Sequence, residues 1–237
     1  MRRLAGLFVS ATLFAGPPYL TDDPEPVETH HWETYLFMQG VVSHGAKSGL
    51  LPAFEANYGP FAHAQIQFQV PFVYQEADGQ KRRGWGDLQA GFKYRFIQEG
   101  DGIPQVAVYP QIQAPTGREE RGLGSGHWRL YLPLLFQKSF GPWTTYGGPG
   151  WWRNPGEGNR DYATFGWQVQ RSFGEDFSLG AELFHQQADT LEGVASTTFN
   201  VGFTRSLGPR FALVGSLGRV FRGETGHQVY LGLRGSF

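Results

Sequence analysis

From Ala64 to Tyr74 the chain alternates: Ala64, Ile66, Phe68, Val70, Phe72 and Tyr74 share one parity, and Gln65, Gln67 and Gln69 the other. Successive side chains of an extended chain point to opposite faces, so this stretch predicts a strand with an apolar face and an amide face. The design recurs in Leu88, Ala90, Phe92, Tyr94 and Phe96 against Asp87, Gln89, Lys93 and Arg95. From Trp32 onward about a dozen such runs follow, at 32–42, 49–58, 63–74, 85–96, 104–115, 127–139, 143–151, 162–172, 177–186, 197–207, 211–221 and 227–237. The first and seventh alternate least.

The connectors fall into two classes that take turns. Gly59-Pro60-Phe61, Gly100-Asp101-Gly102, Gly141-Pro142, Gly174-Glu175-Asp176 and Gly208-Pro209-Arg210 are tight. Ser43–Ser48, Glu76–Gly84, Thr116–Gly126, Arg153–Asp161, Gln187–Ala195 and Arg222–Gly226 are broader and polar. Short periplasmic turns alternating with longer external loops are the rhythm of outer-membrane barrels. The expected fold is therefore all-β: a transmembrane antiparallel up-and-down barrel of about twelve strands around a polar lumen, spanning residues 32–237.

Alternation alone leaves open a soluble sandwich with its apolar face inside. Three features favour the inverted arrangement. Cations of outward parity (Lys138, Arg171, Arg205, Arg219) sit at strand ends, where their stems can snorkel to an interface. Aromatics gather at the same ends: Tyr58, Phe140, Trp143, Phe173, Phe177 and Phe211 at one rim, and Trp85, Trp128, Trp151, Trp152 and Phe221 at the other. The last strand alternates Val229, Leu231 and Leu233 and ends on Phe237, resembling the signal that bacterial barrels present to their assembly machinery. Against this, Pro52, Pro71, Pro110 and Pro133 each remove a ladder donor, so bulges or breaks are expected there.

The N-terminus reads as an export signal over residues 1–15: Arg2 and Arg3, an apolar run from Leu4 to Phe14, and a cut after Ala15. No later run is long and apolar enough for a transmembrane helix. Residues 16–31 form a Pro-rich acidic leader, read first as a solvated periplasmic tether and, as the alternative, as a segment tucked into the lumen.

Composition adds little chemistry. A net charge of -1 carries no nucleic-acid footprint, and the absence of cysteine rules out a disulfide framework. His44, His127, His185 and His227 fall at loop-side strand ends without metal-ligand spacing, so no metal or other cofactor is expected. Ser43-His44 and the Gly122–Gly126 stretch around Ser125 are the only hints of a hydrolase, and the second reads as flexible loop.

The run Gly16-Pro-Pro-Tyr-Leu-Thr-Asp-Asp-Pro-Glu-Pro-Val-Glu, followed by His31-Trp32-Glu33, resembles the mature N-terminus of the bacterial outer-membrane family of meta-pathway phenol-degradation proteins, often simply called transporters. That resemblance implies an outer-membrane barrel connected with catabolism of aromatic compounds.

On parity, the residues expected to line the lumen and meet a solute are Glu55, Gln67, Gln89, Lys93, Tyr109, Gln111, Arg129, Tyr131, Gln168, Glu182, Asn200, Tyr230 and Arg234. Both charge signs occur among many amides, whereas an ion-selective pore shows a ring of one sign. The expected function is passive uptake of small, neutral or aromatic solutes across the outer membrane of a Gram-negative cell. The expected partners are outer-membrane lipids and lipopolysaccharide, the barrel-assembly machinery and the solute itself. A plugged structural or adhesive barrel acting through its loops is the alternative.

Overall fold

The computed structural model describes residues 17–77 and 79–237; the expected export signal and Gly16 lie outside them. Among the described residues fourteen strands form one antiparallel sheet. They are β1 (Trp32–Ser43), β2 (Ala46–Tyr58), β3 (Ala64–Ala77), β4 (Gln80–Trp85), β5 (Leu88–Ile97), β6 (Gln105–Val108) and β7 (Gln111–Ala114). The remainder are β8 (Arg129–Phe140), β9 (Trp143–Arg153), β10 (Tyr162–Ser172), β11 (Phe177–Gln186), β12 (Ser196–Ser206), β13 (Phe211–Arg222) and β14 (Gly226–Ser236). β1 pairs with β14 from Glu33–Ser236 to Ser43–Gly226, and Trp32 and Phe237 exchange backbone hydrogen bonds of 2.8 and 2.9 Å. The sheet is a closed barrel.

β4 and β5 both lie along β3, and β6 and β7 both lie between β5 and β8. Each pair is one stave interrupted midway, so the wall has twelve staves. The interruptions follow the prolines. Pro110 occupies the gap between β6 and β7, and the β2–β3 register slips between Leu50 and Ala53, around Pro52, with Pro71 opposite Ala53. Where a ladder bond is lost, a neighbour compensates: the Phe92 N–H donates to the Pro110 carbonyl at 3.0 Å, and the Tyr109 N–H to that of Pro133 at 3.2 Å.

The inversion is plain from exposure. Phe68 is 56% exposed and Phe92 39%, while Gln67 and Gln89 are 5% and 3% exposed. Leu36, Phe54, Phe165, Leu183, Phe199 and Leu217 continue the apolar outer wall around the circumference. At the rims the aromatics mostly stand outward as expected, but Trp152 does not. Trp151 is 41% exposed and Trp152 3%, because neighbours on one strand cannot share a face. Trp152 belongs to the interior.

β8 and β9 approach closely just beyond the Pro133–Gly150 pair. A Cβ placed on Gly148 would stand 1.9 Å from the Leu134 carbonyl oxygen, which is backbone and cannot yield cheaply. Replacing Gly148 by Val is expected to destabilise the barrel by about 1–3 kcal/mol, measured by urea unfolding in lipid vesicles. Wild-type stability for this variant would contradict the close approach.

Candidate functional site

The candidate site is the interior of the barrel. All thirteen residues expected there point inward. Glu55, Gln67, Gln89, Lys93, Tyr109, Gln111, Arg129, Gln168, Glu182, Asn200 and Tyr230 are buried, and Tyr131 and Arg234 are half-buried. Amide and carboxylate side chains bond to one another along and across the staves. Asn57 donates to Glu55 at 2.8 Å, Gln65 to Asn57 at 3.0 Å, Gln89 to Gln111, and Asn200 to Glu182 at 2.6 Å. Lys93 lies over the ring of Tyr109, 4.9 Å from its centroid.

Much of this polar equipment is engaged by the chain itself. The leader enters at the end of the barrel that carries the tight turns, where Thr29 bridges to Gly59. It then runs up inside. The Val27 N–H donates to Gln65 Oε1 at 3.0 Å, and Arg95 pairs with Glu25. Lys93 Nζ sits 2.9 Å from Asp22 Oδ1 and 3.7 Å from Asp23 Oδ1. The segment next crosses to the far wall, where the Leu20 N–H (3.0 Å) and the Thr21 N–H both donate to the Glu182 carboxylate. Tyr19 donates its hydroxyl to the Gly202 carbonyl at 2.8 Å, and Ser216 Oγ donates to the Pro18 carbonyl at 2.6 Å.

The reading of this segment as a solvated tether is therefore corrected: Pro18 to Thr21 are buried in the lumen. Its acids lack the spacing of a calcium loop, but they complement Lys93 and Arg95, which a parity argument cannot reveal. Inward-facing glycines make the trough. A Cβ on Gly166 would stand 1.9 Å from Thr21 Oγ1, and one on Gly180 2.5 Å from the Tyr19 hydroxyl.

A second segment folds in from the opposite end. The loop between β7 and β8, read from sequence as flexible, is pinned by Asp87 at the β4–β5 break. One carboxylate oxygen accepts the Gly117 N–H at 2.8 Å, and the other accepts the Ser125 N–H and hydroxyl, each at 2.7 Å. This directs Leu123 into a buried apolar cluster with Phe37, Leu50, Val73 and Tyr230. A lone leucine within a glycine-rich loop was the only sequence signal for it.

The Ser125 hydroxyl lies against Asp87 and the His127 carbonyl, and the His127 ring bonds the Ser125 carbonyl rather than its hydroxyl. Among the described residues no ring nitrogen is hydrogen-bonded to the Ser125 hydroxyl. Among the described residues no cluster of three His, Asp or Glu side chains is arranged to hold a metal. Between the leader and the wall, beside Leu20, Thr21, Gln111, Tyr131 and Leu135, a void of about 10 Å³ remains, room for about one water.

The sequence profile of a family described as "Putative MetA-pathway of phenol degradation" matches residues 40–231. The fold is shared with the COG4313 outer membrane channel from Pseudomonas putida F1, at a TM-score of 0.70 and 19% identity over 91% of this chain and 98% of that one. KdgM porin matches at 0.55 and 13%, covering 86% and 99% of the two chains. The CymD monoaromatic hydrocarbon channel matches at 0.52 and 10%, over 88% of each. No curated protein matches significantly in sequence.

The Glu182 carboxylate accepts two leader N–H groups, and charge-assisted bonds of this kind are each worth about 1.5–3 kcal/mol. Glu182→Ala, or Gly180→Val on the trough, is expected to loosen the segment. A spin label at Thr21→Cys should then sharpen from an immobilised to a mobile spectrum. An unchanged spectrum in both variants would contradict the clasp.

Proposed function

Because the chain belongs to the family described as "Putative MetA-pathway of phenol degradation", we propose that it is an outer-membrane channel for passive uptake of small solutes, aromatic ones among them. The observation that carries this reading is the inverted wall: a continuous apolar exterior around a lumen lined by amides, tyrosines and both signs of charge. Such a barrel is matched to lipid outside and to water or polar solutes inside. The solved barrels that share its fold include channels and a porin, one of them for monoaromatic hydrocarbons, and this supports the reading. The wall passes solutes without transforming them. Residues 1–15 act as the export signal, and the strand ending at Phe237 engages the assembly machinery. Outer-membrane lipid and lipopolysaccharide surround the apolar belt.

The leader and the Asp87-pinned loop narrow the lumen from its two ends. Conduction therefore depends on how far each withdraws. That same filling favours a second reading, a plugged barrel acting through its external loops.

Liposome swelling separates the two. The protein should admit small neutral solutes such as arabinose slowly, and deletion of residues 17–26 should raise the rate several-fold. No swelling in either protein, with folding verified by heat-dependent gel mobility, would leave the plugged reading in its place. Location is tested independently with Phe92→Arg, which puts a charge on the outer wall at mid-strand. It should cost about 2–4 kcal/mol in bilayers.

A further inference from the structure

The loop end of the lumen holds a charge that the leader does not use. Among the described residues the other inward cations that are not exposed, Lys93, Arg95 and Arg234, each face a carboxylate within 4.0 Å. Arg129, at the start of β8 and 3% exposed, faces none. Its guanidinium donates only to neutral oxygens: to Gln113 Oε1 at 3.3 Å and to the Tyr162 hydroxyl at 3.1 Å. Nε is buried with no hydrogen-bond partner. A guanidinium out of water without a counter-charge is costly, and a carboxylate is its best-matched partner because both are planar and bond in pairs.

What surrounds this cation is aromatic. Tyr131, Trp152 and Tyr162 are cross-strand partners on β8, β9 and β10, all turned inward. Tyr131 stacks on Trp152 at 4.7 Å and 14°, and Trp152 on Tyr162 at 6.0 Å and 18°. The Arg129 guanidinium lies over the Trp152 ring, 4.6 Å from its centroid. Tyr131 also borders the void beside Leu20 and Thr21, so the stack reaches the leader at those two residues. The acid whose charge Arg129 feels is Asp189, on the loop between β11 and β12. Burial pushes its carboxyl up while Arg129 pulls it down, and the two form no ion pair.

We infer that Arg129 and the Tyr131–Trp152–Tyr162 stack form a lumen site for a solute carrying both a carboxylate and an aromatic ring, of the benzoate class. Once Leu20 and Thr21 of the leader draw back from Tyr131, the carboxylate meets the guanidinium edge that holds Nε, and the ring lies against the stack. Charge selects acids over alcohols, and the stack selects rings over short acids. As a stage of solute passage the site rests on the channel reading; as a binding site it does not.

The test is binding to the full mature protein in detergent micelles, by calorimetry and tryptophan fluorescence, with benzoate, benzyl alcohol and acetate as probes. Benzoate should bind about tenfold or more tightly than either of the others. Arg129→Gln should remove the preference over benzyl alcohol, and Arg129→Lys should restore part of it. Trp152→Leu should shrink the preference over acetate. Equal affinity of the wild type for benzoate and benzyl alcohol, or an undiminished preference in folded Arg129→Gln, overturns the assignment. If Arg129→Gln does not fold, the wild-type comparison and Trp152→Leu decide it. Binding in micelles needs no conduction. Benzoate held by a barrel that swells no liposome sinks the channel and keeps the site; passage of neutral solutes without benzoate binding does the reverse.

Discussion

A wall with an apolar outer face cannot leave a row of backbone amides unpaired, since the solvent on that side offers no substitute partner. Closure of β1 onto β14 is therefore the interaction on which the rest depends. The register from Glu33–Ser236 to Ser43–Gly226 fixes which residues of every stave face inward, because a slip of one residue would exchange the faces. Gln67 would then stand where Phe68 stands. With closure made, the polar face has nowhere to go but the lumen, and a barrel of twelve staves is wider than its own side chains can fill.

How that space is used divides the interior into two regimes. Along β10–β12 the wall is regular, and glycines at 166, 180 and 202 hollow it where Tyr19 and Thr21 lie. Glu182 and Lys93, each deeply buried, are made tolerable by what the leader supplies: two N–H groups for the first and two carboxylates for the second. Without those partners both charges would demand water. The leader thus stabilises the lumen as much as it obstructs it.

Strand positions, connectors and the direction of the faces were all legible from alternation, because period two is a direct record of which side each residue sees. The twelve runs match the twelve staves, and the prolines marked where the ladder would fail. Trp152 sets two signals against each other: an aromatic at a strand end suggests a rim, whereas its parity, opposite to that of Trp151, puts it inside. The choice between the two readings of the leader was not legible for a different reason. Its acids and prolines look like those of any solvated linker, and what holds it are single contacts to Lys93, Arg95 and Glu182, about 70 to 160 residues away. Pairings of that kind leave no period to detect.

The irregular side of the barrel follows the opposite rule from the regular one. From β2 to β8 the prolines and the two broken staves interrupt the ladder, and a loop turns inward where a continuous strand would have excluded it. Asp87 occupies the β4–β5 break and accepts the Gly117 and Ser125 N–H groups, so the break itself supplies the anchor for the loop that fills it. Leu123 then covers Leu50 and Val73, apolar residues of inward parity that would otherwise face water. Defect, anchor and apolar patch therefore require one another. Mending the break with a regular strand would pair the backbone but leave an oily patch on a wet wall.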